Sequence, residues 1–271
     1  MASVRIFVLL SFFCGAAALR APLRRLNIQL RPPRLGATPA ESALPAPEAP
    51  KTDWEQVKKT TAGIAVQMLL INMFCKCVMN PAAHLLTTLS SPVYGTATAA
   101  VFFLAMARQS RVFAPMDASR PKGSDEAYQP KWKQPVWAPP GPVFPIVWIS
   151  IAILRCISAT MIWNVTGRNF VSLPLVVYYL HLSIGDAWNN LYTVQKRLGA
   201  GAFFIWFVWA SVLGLTAVFY KTLPVAGYII APSAVWLSIA SLLVTRIWEL
   251  NRKEPQVLIP QSTSESDEAK Q

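Results

Sequence analysis

At 271 residues, 54% hydrophobic and only 14% charged, the chain falls well short of the roughly 25% charge of a soluble domain. Its net charge of +12 does not describe a nucleic-acid surface, because the basic residues sit in the N-terminal segment and in loops between apolar runs, without a patch interleaved with aromatics. That placement fits topology signals and contact with anionic membrane lipids, and four cysteines without paired spacing supply neither a disulfide framework nor a zinc site.

Residues 1–18 read as a signal peptide. Arg5 gives a positive start, 6–13 is an apolar stretch too short to span, and Ala16, Ala17 and Ala18 offer small residues for cleavage. Residues 19–52 follow as a transit-like, disordered linker. Arg20, Arg24, Arg25, Arg31 and Arg34 precede the first acid, Glu41, and Pro and Ala dominate 32–50.

Residues 53–107 hold two apolar stretches. The first, 57–79, is interrupted by Lys76; the second, 93–107, is short for a span, and Pro81 and Pro92 punctuate the sequence between them. Residues 108–133 are polar. Four clear spans are then expected at 142–163, 173–193, 200–220 and 224–248, each about the 20 residues that cross a hydrocarbon core of roughly 30 Å. No period-2 alternation marks them as strands, so they are helices, and short connections make neighbours antiparallel. Residues 252–271 form a disordered polar tail. Arg108, Arg111, Arg120, Lys122, Lys131, Lys133, Lys196, Arg197, Arg252 and Lys253 fall on one side of this arrangement, and Arg168 and Lys221 on the other. The basic side faces the compartment from which insertion occurs.

Helical spacing sorts the side chains into faces. Phe144, Trp148, Ala152, Arg155 and Ala159 share one. His181, Gly185, Trp188 and Tyr192 form a stripe, with Asp186, Asn189, Asn190 and Thr193 expected roughly opposite. Pro232, Trp236, Ala240, Leu243 and Ile247 share a third face. Aromatic faces converging in a bundle make a flat-walled apolar cavity. Arg155 and Asp186 are costly inside a span and must face the interior with a partner. Either they pair with each other or with His181 and lock the bundle, or Arg155 meets a ligand carboxylate. His181 has two readings, a helix–helix hydrogen bond or a haem ligand. No nucleophile–base order, paired carboxylates, phosphate loop or metal cluster appears, so no enzyme is expected.

The stretch Trp137-Ala-Pro139-Pro140-Gly-Pro-Val-Phe144-Pro-Ile-Val-Trp148 resembles the W-x-P-P-x-x-x-F-x-x-x-W signature of the TspO/MBR (translocator protein, or tryptophan-rich sensory protein) family. The resemblance continues through Trp188, Leu191 and Tyr192, Gly199, and Pro232, Trp236, Ala240, Trp248 and Asn251, covering roughly residues 128–251. Two departures stand out: His181-Leu182-Ser183-Ile184-Gly185 replaces the family's Q-L-x-L-N, and Leu243-Val244-Thr245 replaces the L-N-Y of its proposed cholesterol motif. The His181–Asn189 stretch looks closer to the plastid branch of plants and algae.

The resemblance implies an all-α membrane protein, a five-transmembrane-helix bundle with one additional N-terminal helix as the alternative, in which residues 108–251 form the membrane core including the Trp/Pro loop and 53–107 the N-terminal apolar helices. It implies a pocket for a tetrapyrrole (a porphyrin or haem, with no cofactor required) or, alternatively, a sterol, used in transport, scavenging or stress-linked regulation, and a homodimer as partner. The residues assigned to that pocket are Trp137, Pro139, Pro140, Phe144, Trp148, Arg155, His181, Trp188, Tyr192, Trp236 and Ala240. A third reading makes every Trp structural. The signal and transit-like segments together resemble the bipartite address of algae with complex plastids, which makes a plastid membrane the expected location and mitochondrial or endomembranes the alternatives.

Overall fold

The computed structural model describes residues 54–89, 91–106 and 132–251. The signal peptide, the transit-like linker, most of the 108–133 loop and the polar tail lie outside the described residues. Every described regular element is helical: α1 (Trp54–Phe74), α2 (Asn80–Leu89), α3 (Pro92–Met106), α4 (Val143–Val165), α5 (Leu173–Asn189), α6 (Leu198–Thr222) and α7 (Pro224–Leu250).

α1 and α2 are one rod. Pro81 was expected to separate spans, yet the helix runs through it. A proline lacks the N–H for the carbonyl four residues back and its ring crowds that carbonyl. The chain answers by widening Cys75–Met79 into a π-helical turn, in which Asn80 N–H bonds to the carbonyl of Cys75, five residues back. The rod spans Trp54–Thr88, 35 residues.

Four described helices are long and apolar enough to cross a membrane: this rod, α4, α6 and α7. The expected span at 173–193 is helical, continuing into a second π turn at Asn190–Val194, but it is not among the four. His181, Asp186, Asn189 and Asn190 lower its apolarity. It is instead the most sheltered helix, exposing only Leu173 and Leu180. α3 has 15 residues, short of a span.

Two larger apolar clusters and a small one around Leu198, Leu243 and Ile247 make up the interior of the described residues. One, at the α4–α5 turn, gathers Cys75, Phe103, Trp163, Phe170, Tyr178, Tyr179 and Phe219, all fully buried. The Cys75 thiol donates to the Tyr179 hydroxyl at 3.5 Å, and that hydroxyl donates to the Phe170 carbonyl at 3.0 Å, so the rod is fixed to α5. The second cluster joins α5, α6 and α7 through Leu191, Ile205, Val208, Val212, Leu237 and Val244. Ser158 on α4 donates to the Ala226 carbonyl on α7 at 2.7 Å, a backbone contact that satisfies a buried hydroxyl.

Close approach explains two glycines. A Cβ on Gly227 would lie 2.5 Å from the Cα of Tyr220 across the α6–α7 turn. A Cβ on Gly95 would lie 2.2 Å from the hydroxyl of Thr87, which can rotate away. Gly227→Ala should therefore destabilise by the roughly 1–3 kcal/mol of overpacking, and Gly95→Ala by less. Thermal unfolding in detergent checks this; equal losses in the two variants would contradict it.

Candidate functional site

A cavity of about 1090 Å³ opens between α4, α5 and α7 beneath the loop that precedes α4. This is at the upper end of the roughly 300–1,000 Å³ of ligand pockets, large enough for a flat polycyclic molecule. α4 contributes Phe144, Trp148, Ala152 and Arg155, four residues at successive helical repeats on one stripe. α7 contributes Trp236, Leu237, Ala240, Leu243, Val244 and Ile247. α5 presents His181, Gly185, Asp186, Trp188, Asn189, Tyr192 and Thr193, so the polar stripe expected opposite the aromatic one lies on the same wall. The cavity wraps α5 widely enough to take both, and Asn190 alone of that stripe falls outside the lining.

Nine of the eleven residues expected at the site line this cavity: Pro139, Phe144, Trp148, Arg155, His181, Trp188, Tyr192, Trp236 and Ala240. Trp137 and Pro140 do not. A turn closed by the Ala138 N–H on the Pro135 carbonyl, at 3.0 Å, throws Val136 and Trp137 outward, leaving Trp137 40% exposed. Pro140 instead accepts the Val143 N–H at 2.9 Å and serves the entry into α4. The indole that faces the cavity from this loop is Trp132, whose ring centroid lies 5.3 Å from that of Tyr192. No residue-type signal separates Trp132 from Trp137; only the turn between them does.

The aromatic walls are ordered by their own contacts. Trp188 and Tyr192 stack at 5.0 Å with planes 12° apart. Phe144 meets Trp236 edge-on at 5.8 Å and 72°, the arrangement ring quadrupoles favour. Gly201 on α6 supports the first pair: Trp188 donates to its carbonyl at 3.0 Å, and a Cβ there would meet the Tyr192 ring at 2.5 Å. The loop is pinned by Asn251, whose side chain accepts the Lys133 N–H and donates to the Lys133 carbonyl, both at 3.0 Å.

At the inner end sits Arg155, only 9% exposed. Its Nη2 donates to Nε2 of His181 at 2.8 Å. A guanidinium has only donors, so Nε2 accepts and the imidazole proton is on Nδ1. Nδ1–H then donates to Ser211 at 2.8 Å, and Ser211 donates to the Val208 carbonyl at 2.7 Å. Of the two partners expected for Arg155, His181 takes the bond. The directed chain leaves no lone pair on His181 for a haem iron, and it leaves Ser211 with its proton on a carbonyl, which is no nucleophile–base pair. Arg155 Nε and Trp236 Nε1, both on residues of the lining, are buried without a hydrogen-bond partner among the described residues.

The profile of the TspO/MBR family matches residues 103–249, more than half of the chain and the whole lining of the cavity. Similar proteins include CrtK of Rhodobacter capsulatus, 26% identical over 137 residues, which are 50% of this chain and 86% of that protein. The tryptophan-rich sensory protein of Cereibacter sphaeroides is 25% identical over 132 residues, 49% of this chain and 81% of its own. The translocator protein of Bos taurus is 21% identical over 139 residues, 51% and 82% respectively. The α1–α2 rod precedes the matched region.

His181→Ala leaves the buried guanidinium of Arg155 without its neutral acceptor and should cost about 3 kcal/mol or more, the penalty of an uncompensated buried charge. Ser211→Ala removes only the neutral end of the chain, at about 1–3 kcal/mol. Thermal unfolding in detergent should rank them in that order; the reverse order would break the chain as drawn.

Proposed function

This chain belongs to the TspO/MBR family and is an integral membrane protein, not an enzyme; from that premise we propose that it binds a tetrapyrrole in the cavity under the Trp132 loop. The carrying observation is the pairing of aromatic walls with two buried N–H groups, on Arg155 and Trp236, that lack acceptors among the described residues. A buried donor without an acceptor is costly, and the ligand that relieves it brings an acceptor into an apolar slot. A porphyrin is a broad aromatic disc bearing carboxylates. Its face stacks on indole and phenol rings, and its propionate meets the guanidinium with a charge-assisted bond. The same donor explains why Arg155 is tolerated in a span. His181 acts by orienting Arg155 rather than by ligating a metal.

A sterol is the second reading. It would fill the same apolar volume but offers one neutral hydroxyl, a poor match for a buried guanidinium. The Thr245 position, where the family's proposed cholesterol motif carries Tyr, also favours the tetrapyrrole. The bound pigment would be moved, scavenged or sensed across a plastid membrane, to which the first 52 residues direct the chain, with a homodimer as its working form. The basic loops then mark the side of insertion.

Titrating protoporphyrin into the detergent-solubilised protein should quench Trp fluorescence. Arg155→Leu, which removes a buried charge, should weaken porphyrin binding by about tenfold to a hundredfold, the 1.5–3 kcal/mol of a hydrogen bond to a charged group, and spare cholesterol. Trp236→Phe should weaken it and Trp137→Phe should not. Unchanged porphyrin affinity in Arg155→Leu would remove the carboxylate contact. For location, residues 1–52 fused to a fluorescent protein should reach plastids; retention in the secretory route would overturn that address.

A further inference from the structure

A second cleft, of about 520 Å³, lies at the other end of the bundle, between the π turn and α2 of the rod and the turn joining α4 to α5. It is lined by Lys76, Asn80, His84, Thr87 and Thr88 on one side and Gly167, Arg168 and Asn169 on the other. Lys76, Asn80 and His84 are spaced by four, so they share one stripe of the helix. Neither Lys76 nor Arg168 has an acidic partner among the described residues. The sequence provides none nearby: no Asp or Glu occurs between Glu55 and Asp117, or between Glu126 and Asp186. Two basic side chains, one imidazole and two hydroxyls thus share a cleft without a counter-ion among the described residues.

The cleft is built, not incidental. Asn80 donates to the Asn169 side chain at 3.0 Å and accepts the Phe170 N–H at 2.9 Å. Asn169 accepts the Val171 N–H at 2.9 Å. These bonds hold the α4–α5 turn against the rod. Arg168 itself is in the left-handed region, φ 58°, directly after Gly167 at φ 71°. A non-glycine residue is uncommon in that region, yet an arginine occupies it.

Its position defines the ligand. α4 ends at Val165 and α5 starts at Leu173, so this turn marks where two helices leave the apolar layer. Lys76 lies one helical turn before Asn80, towards that layer, and its ammonium reaches outward to the polar boundary. The two turns of the rod that precede it leave Leu69, Leu70, Met73 and Phe74 largely exposed. A cationic cleft at a membrane boundary above an apolar belt is complementary to an amphiphile with an anionic head.

We propose that this cleft is a binding site for the phosphate headgroup of an anionic membrane lipid, held by Lys76 and Arg168 with Asn80, Thr87 and Thr88 as hydrogen-bonding walls. The site is independent of the tetrapyrrole cavity and lies largely on the rod, outside the region matched by the family profile. The headgroup supplies the charge that the protein withholds, and so joins the rod to the bundle through the α4–α5 turn.

The test uses the full chain in nanodiscs of phosphatidylcholine containing a minor fraction of phosphatidylglycerol, with native mass spectrometry counting retained lipids. Arg168→Gly suits the left-handed backbone and removes only the guanidinium, and Lys76→Gln keeps the polar stem. The double variant should retain phosphatidylglycerol at least about tenfold less than the parent, since each cation near a membrane surface contributes on the order of 1 kcal/mol. Lys221→Gln, a cation outside the cleft, should retain it fully, and porphyrin quenching should be unchanged in all three. Equal retention in parent and double variant overturns the site. So does an equal loss with Lys221→Gln, which reports surface charge alone, or displacement of the lipid by inorganic phosphate, which reports a free-anion site.

Discussion

The arrangement turns on one buried cation. Arg155 stands on α4, a helix whose other residues are almost all apolar, and it is buried there. A guanidinium in that position survives only if acceptors come to it. His181 on α5 comes first, and its other nitrogen passes the demand to Ser211 on α6, which discharges it on its own helix's carbonyl. Because Arg155 can only donate, every bond in this chain has a fixed direction, and three helices are set in register by one charge. The Nε of Arg155, buried without a hydrogen-bond partner among the described residues, is left for the cavity. The same group therefore both organises the bundle and defines what the cavity asks of an occupant.

The aromatic walls are secondary to that constraint but depend on equally local physics. Tyr192 can lie flat on Trp188 because Gly201 has no Cβ to hold it off. The π turn at Asn190–Val194 ends with the Gln195 N–H on the Asn190 carbonyl, and it falls where α5 delivers Tyr192 to the loop. Trp132 then closes over Tyr192, and Asn251 fastens the backbone beside it. Each contact is a neutral one of modest strength. Together they fix ring orientation without filling the space between the rings.

Much of this was legible in the residues. Phe144, Trp148, Ala152 and Arg155 could be placed on one wall because a 3.6-residue period admits no other grouping, and Trp236 and Ala240 likewise. What escaped was governed by non-periodic features. Trp132 and Trp137 are five apart in a proline-rich loop, and which indole turns inward is decided by a single hydrogen bond across Pro135–Ala138. The Asp186, Asn189 and Thr193 stripe is placed roughly opposite the aromatic one by helical spacing, yet the cavity wraps the helix widely enough to take both. Pro81 suggested a helix end, since the rule against interior proline assumes four-residue hydrogen bonding, and the π turn at Cys75–Met79 avoids the conflict by changing the ring size. Ser211 gave no signal at all: its role exists only once His181 has been oriented by Arg155.

The rod bears on the least apolar helix. α5 carries His181, Asp186, Asn189 and Asn190, a burden that makes it unfit to face lipid, and yet only two of its leucines are exposed. α4 and α6 cover part of it. The rod covers another part, with Ile71 and Cys75 in the cluster around Tyr178 and Tyr179, and Ile64 packed against the other cluster, as Ile184 and Trp188 are. Polar groups in a membrane helix are affordable where neighbours exclude hydrocarbon from them. An added helix at this edge thus relaxes the apolarity required of α5, and the polar wall of the cavity is the side of that helix which benefits. The exposed residues of the rod from Ala62 to Phe74 are apolar, a face suited to lipid, and Lys76 follows them where the chemistry of the second cleft begins.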